Sequence, residues 1–241
     1  MAYKSLKDVA KVFVAEYDVR PILGAPMNIK RTALLSEFRQ PGEVWTTAVD
    51  LGIRSCELTM PAYLNSPGSD SISGIYGTNR IVSILHEGNT VSDRFFGIQS
   101  AIVSGIEVGI SDDMPDTLTP EFTVRGETNY GYVAAPWVER TTAGNTDTTY
   151  ATMQAPGATG HAFLHVTALT LGGYTSCTIT VRTSTDHITF NPHTAFGAVS
   201  NITSEVLALS STVNQYLSVS WAWNGAGTGQ SITFFVGVAI D

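Results

Sequence analysis

Ser184, Asp186 and His187 bring the three side-chain types of a hydrolytic triad into one short stretch, TSTDHI. A triad needs its hydroxyl, imidazole and carboxylate to converge in space, each at hydrogen-bonding distance from the next. Near neighbours on one tight turn cannot easily converge, and no G-x-S-x-G elbow surrounds a nucleophile in this sequence. The stretch therefore reads as turn chemistry. His161 and His165 are spaced so that they share a face on a helix or on a strand, as metal ligands can. No Asp or Glu nearby completes a ligand set, and no metal or cofactor is expected. The acidic run SDDMPD at residues 111–116 has carboxylates for calcium but lacks the spaced D-x-D-x-D-G pattern and its distant Glu, so it reads as a solvated turn. In QYLSVSWAW, alternation puts Leu217, Val219, Trp221 and Trp223 on one face. With Tyr174, the two tryptophans are candidates for stacking a sugar; their continuity with Leu217 and Val219 favours a buried core face. No catalytic, metal-binding or cofactor-binding residue is assigned, and no enzymatic activity is expected.

The elements that carry these residues read almost wholly as strands. KVFVAEYDV, residues 11–19, alternates and is rich in β-branched and aromatic residues. The same region offers a helical alternative, with Ser5 and Asp8 at a cap and Leu6, Val9, Ala10 and Phe13 as its apolar side. A strand closed by Pro21 is the reading adopted. Further strands are expected over residues 27–38, 53–60, 80–86, 94–108 and 118–125. A long polar loop or hairpin tip around Pro41-Gly42 carries Trp45, a turn falls at residues 87–89, and there is room for one helical turn near residues 69–76. VAAPW closes this half. Strands at residues 161–171, 175–184, 188–190, 205–209, 215–223 and 231–240 follow. In the last, Ile232, Phe234, Val236, Val238 and Ile240 alternate with Phe235 opposite, so that strand should be central and covered on both sides. The fold class expected is all-β: a β-sandwich or barrel-like sheet with at most one or two short helices, then a second β-sandwich.

Charge divides the chain. Every lysine and arginine except Arg182 lies at or before Arg140, and Thr and Ser become the main polar residues beyond it. The change falls on RTTAGNTDTTYATMQAPGATG, which has no apolar periodicity. It suggests domains at residues 1–140 and 161–241 joined by a linker at 141–160, the alternative being a long loop within one domain. At 241 residues either arrangement can bury a core. Cys56 and Cys177 sit in strand-like sequence and read as small buried apolar residues. No apolar run approaches the length of a bilayer span, and MAYKSLKDVAK lacks the apolar core of a secretory signal, so a cytoplasmic origin and no membrane anchor are expected. A net charge of −8 disfavours gripping nucleic acid, which needs clustered cations; it is compatible with ordinary solubility and with a wall past which DNA slides.

LKDVAKVFVAEYDVRPIL, GEVWTTAVDLG, and the later order HAFLHVTAL, TITVRTSTDHITF, VNQYLSVSWAW, SITFFVGVAI resemble the tail tube (major tail) proteins of long-tailed bacteriophages. The resemblance spans most of the chain. It implies a structural virion protein forming homo-hexameric rings stacked head to tail into a hollow tube. Its partners would be itself, other virion tail proteins, and double-stranded DNA passing through without specific binding. The location implied is the virion tail, assembled in the host cytoplasm. Six chains at −8 each give a ring −48 charges, repelling DNA wherever those charges face inward. A loop reaching the next ring is implied, and residues 36–50, with Phe38, Arg39 and Trp45 as inter-subunit contacts, are the candidate. A different class, a virion decoration or adhesion protein, would instead read glycans through Tyr174, Trp221 and Trp223.

Overall fold

The computed structural model describes residues 10–19, 23, 27–38, 47–63, 77–110, 116–124, 128–153, 159–209 and 211–240. It is all-β, as expected, and the described residues contain no helix. The chain divides into two compact units, though not where composition suggested. One gathers residues 1–21, 80–99 and 127–241; the other, residues 22–79 and 100–126.

The first unit is organised around β17 (Ser231–Ile240), flanked by β12 (Gly160–Thr170) and β9 (Thr128–Arg140). β15 (Thr203–Leu209) lies beyond β12. Beyond β9 come the first part of β7 (Arg94–Gly109), then β6 (Asn79–Leu85), β1 (Lys11–Val14) and β2 (Tyr17–Asp18). The alternation in β17 dictates its environment. Ile232, Phe234, Val236 and Val238 enter one core, and Phe235 and Ala239 enter another. With apolar side chains on both faces, β17 is stable only at the centre of a sheet covered on both sides.

A second sheet covers the Phe234 face. It comprises β13 (Ser176–Ser184) between β14 (Asn191–Ala195) and β16 (Tyr216–Asn224), with β10 (Gly144–Asn145) and β11 (Ala151–Thr152) on the far edge of β16. Cys177, Ile179, Val181, Leu217 and Val219 meet Leu164, Val166 and Phe234 in a sandwich core. Residues 141–160 therefore supply two strands of this sheet, and residues 127–241 belong to one unit. The linker expected there is corrected for a physical reason. Thr146, though polar, is buried and turns inward, its hydroxyl donating to the Ala134 carbonyl of one sheet (3.2 Å) and accepting from the Val219 amide of the other (2.9 Å).

The Phe235 face is covered by the same sheet curling round. Phe13 on β1 stacks on Phe235 of β17 (5.5 Å) and on His165 of β12 (5.2 Å), although four strands separate β12 from β1 in the strand order. Residues 11–19 are not one strand. Lys11–Val14 and Tyr17–Asp18 form a tight hairpin in which Val14 faces Tyr17 and Phe13 faces Asp18, with Ala15 at φ 53° in the turn. Alternation alone misses a two-residue turn that carries no Gly, Asn or Asp. The hairpin is held by Lys11 Nζ on Asp18 (2.6 Å), with the ammonium 3.8 Å above the Trp137 ring. His165, fully buried, donates Nδ1–H to the Ala15 carbonyl (2.5 Å) and accepts at Nε2 from Ser83 (2.8 Å), tying β12 to the turn and to β6. The Ala15 carbonyl can only accept, so the neutral tautomer is set by the fold.

Small residues make room for large rings. Phe95 lies over Gly131 and Gly237, where an added Cβ would meet its ring at 2.5 Å in each case. β9 carries Pro136 mid-strand, and its pairing with β17 shifts register between Phe234 and Val236. The Arg140 guanidinium serves the carbonyls there: Pro136 (2.8 Å), Val138 (2.8 Å) and Phe234 (3.1 Å). It also lies 3.9 Å from the Phe234 ring centre and 4.7 Å from that of Trp221. Burial lowers its pKa to about 10, which leaves it charged at neutral pH. The strand expected at residues 188–190 is corrected too: the backbone there is held in the Asp186 turn, and β14 begins at Asn191.

The second unit pairs β3 (Asn28–Phe38) with β4 (Thr47–Thr59), β4 with β8 (Thr117–Val124), and β8 with β5 (Ala62–Tyr63) and the later part of β7. Leu58, Met60, Val103, Leu118 and Phe122 are buried in it. The helical turn expected near residues 69–76 and all of the acidic run except Asp116 lie outside the described residues. Both cysteines are buried free thiols, as the sequence suggested.

Two outcomes are expected. Gly131→Ala should lower stability by about 2 kcal/mol through overpacking against Phe95 and the Val238 carbonyl, read as a lower urea midpoint. Burial lowers the His165 pKa from 6.5 to about 4, so the unfolded chain takes up a proton that the folded chain refuses. The stability His165 contributes is complete above pH 6.5 and falls by about 3 kcal/mol as pH drops to about 4. Urea unfolding across that window should show this slope, and His165→Leu should remove it while also lowering stability at neutral pH.

Candidate functional site

The first feature is the β3–β4 ribbon. Their register runs from Asn28 opposite Thr59 to Phe38 opposite Thr47, with an irregularity between Ala33 and Leu35. β4 meets β8 only at Glu57, Leu58 and Thr59. Among the described residues, 31–38 and 47–56 therefore pair only with each other, a two-stranded ribbon about 25 Å long at ordinary strand rise. Of the contact candidates, Phe38 closes β3, while Arg39 and Trp45 lie outside the described residues. Residues 39–46, which join the two strands in sequence, lie outside the described residues. Sequence reading placed residues 47–52 in a loop; they belong to β4 because they keep cross-strand partners as far as Thr47.

The second feature is a cluster of rings on the first unit. β16 alternates as expected: Leu217 and Val219 are buried, and Trp221 and Trp223 pack against the same core. Trp221 donates to the Thr142 carbonyl (2.7 Å) and meets Phe234 edge-on, while Trp223 lies beside Tyr174 (5.7 Å). Of the three glycan candidates, the structure thus brings Tyr174 and Trp223 together and gives Trp221 to Arg140 and Phe234.

Residues on the other side of β16 form a different group, which sequence reading missed. Tyr150 stacks on His187 (5.7 Å, 28°) and meets Tyr216 edge-on (5.3 Å), and His187 also meets Tyr216 (5.3 Å). Tyr150 comes from the Thr-rich bridge at residues 140–160, Tyr216 from the start of β16 and His187 from the turn after β13. The one sequence signal was parity, since Tyr216 falls opposite the Leu217 face of β16.

Ser184, Asp186 and His187 are indeed turn chemistry. Asp186 Oδ1 accepts from the Ser184 hydroxyl (2.8 Å), the Ile188 amide (3.0 Å) and the Thr189 amide (2.8 Å). Those hydrogen bonds, led by the Thr189 amide, hold the carboxyl at a pKa of about 2, so it is ionised at any physiological pH. The Ser184 hydroxyl serves the carboxylate, and His187 points to Tyr150 and Tyr216, so the three do not assemble a nucleophile and its base. The turn holds His187 exposed at φ 54°. Nearby, Arg182 is engaged by Asp147 and by the Phe190 carbonyl (2.5 Å), and Asp147 also receives Ser218. His165 is spoken for by Ala15 and Ser83, and no group of potential metal ligands occurs among the described residues.

No family model matches the sequence. No curated protein matches it either. Among solved structures, the chain is similar to one from the virion of a native gene transfer agent particle, at 12% identity and TM-score 0.42, covering 53% of this chain and 98% of that one. A chain from the tail of an empty gene transfer agent particle refined with C6 symmetry gives 11% identity and TM-score 0.41 over the same shares. The SPP1 Dit (gp 19.1) protein, described as a hub of the adsorption apparatus in phages infecting Gram-positive hosts, aligns at 11% identity and TM-score 0.34 over 95% of this chain and 98% of that chain.

Proposed function

We propose that this chain is a structural protein of a bacteriophage virion tail, assembling with copies of itself into hexameric rings stacked as a tail tube through which DNA is ejected. The order of strand sequences noted above suggests the family. The β3–β4 ribbon is the observation that carries the assembly reading. A two-stranded ribbon is marginally stable alone, and its unpaired edges offer backbone donors and acceptors to another chain. Its sequences, RTALLSEF and TAVDLGIRSC, carry apolar residues at Ala33, Leu34, Leu35, Phe38, Ala48, Val49, Leu51 and Ile53. A neighbouring subunit covers them, with the tip at residues 39–46 reaching the next ring. Such a head-to-tail contact uses different surfaces on its two sides, so it propagates without limit. In this reading the chain's partners are its own copies, other tail proteins and passing DNA, and its location is the virion tail.

Electron microscopy of the concentrated protein is expected to show rings or tubes. A monodisperse monomer under the same conditions would count decisively against the tube. Trp45→Ala should leave the monomer's circular dichroism and urea midpoint unchanged while impairing polymerisation. Tube growth at the parental rate would remove the tip from the interface. Because each chain carries −8, polymerisation should also proceed further at about 0.5 M salt than at about 0.02 M, as screening weakens repulsion between copies.

A further inference from the structure

We infer that Tyr150, Asp186, His187 and Tyr216 form a binding site for a neutral saccharide on the first unit. The inference does not rest on the tube reading. Three rings from three separate segments meet at one spot, and each is at least partly open to solvent. Ile188, which follows His187 in the chain, is left 78% exposed. The C–H faces of a pyranose stack on such rings, and its hydroxyls need strong acceptors at the rim.

Asp186 supplies that acceptor. Its described hydrogen bonds all fall on Oδ1, which the turn uses to fix the carboxylate in place. Oδ2 accepts none of these described bonds, and an ionised carboxylate is the strongest acceptor a sugar O–H can meet. Positioning costs the ligand nothing, because the turn has already fixed the side chain. His187 points to ligand binding for a separate reason. A non-glycine residue at φ 54° is strained, and glycine would hold this turn more comfortably, so the imidazole earns its place by what it presents. The site's charge selects the ligand. Arg182, the one Lys or Arg after residue 160, is engaged by Asp147 and the Phe190 carbonyl, while the ionised Asp186 carboxylate repels a carboxylated or sulfated sugar. Acidic sugars are thus disfavoured and neutral hexoses or N-acetylhexosamines favoured.

The full chain is tested on an array of neutral and acidic glycans, and the best neutral oligosaccharide is titrated by saturation-transfer NMR. Binding is expected for neutral glycans. Tyr150→Ala and Asp186→Asn should each weaken it roughly tenfold, the Asn preserving an acceptor for the turn. His187→Gly separates structure from binding: it should fold at least as stably, by its urea midpoint, and yet bind roughly tenfold more weakly. Trp223→Ala should retain parental affinity. Absence of neutral-glycan binding at millimolar sugar would overturn the site. So would unchanged affinity in a folded His187→Gly, or loss of binding only in Trp223→Ala.

Discussion

A strand with no polar face constrains everything around it. β17 presents Ile232, Phe234, Val236 and Val238 to one side and Phe235 and Ala239 to the other. Each large side chain left in water would forfeit about 2 kcal/mol of burial, so the strand needs a wall on both sides. One wall is the second sheet, with Val181, Leu217 and Val219. The other is the curled part of the strand's own sheet, which brings Phe13 onto Phe235. The polar groups of the first unit can be read as fittings on this arrangement. His165 joins the curled part to β12, Thr146 joins the two sheets, and Arg140 satisfies the carbonyls where β9 loses register with β17. None is paired with an opposite charge in the described contacts. Each instead satisfies backbone groups whose isolation in the interior would be costly.

What was legible in the sequence was whatever obeys a local period. The two-sided alternation of residues 231–240 named the central strand, and SCTITVRTS and QYLSVSWAW gave their strands and their core faces. What failed was non-local or too short for a period. The Ala15–Glu16 turn carries none of the usual turn residues, and a side chain hydrogen-bonded to it comes from His165, far along the chain. In the bridge, Gly144–Asn145 and Ala151–Thr152 are too brief to alternate, and their place is set by β16, some seventy residues on. The composition step at Arg140 is real, yet charge density follows surface chemistry and need not follow the boundaries of a compact unit. β9 ends at that step, yet its pairing with β17, from Gly131 opposite Ala239 to Arg140 opposite Ile232, binds it into the same unit as the residues beyond.

The candidate sites were legible unequally. β3 was legible as a strand over residues 27–38, while the start of β4 at residues 47–52 was not, since TAVDLG alternates weakly; Trp45 lies outside the described residues. The triad-like residues were rightly assigned to a turn. Their association with Tyr150 and Tyr216 needed three segments to be brought together, which no window of sequence contains.

The discontinuity of the first unit bears on how the protein is made. Its strands come from residues 1–21, 80–99 and 127–241, and β17, with β9 and β12 on either side of it, lines both of its cores. A nascent chain ending at β16 would have Phe13, Phe163 and Leu217 but would lack Phe234 at the centre of one core and Phe235 at the centre of the other. Contacts this distant in sequence form slowly, and strand edges stay open while they wait. The order of synthesis thus keeps the unit unfinished until residues 231–240 emerge, so the folded first unit exists only on chains that have already been translated through β17.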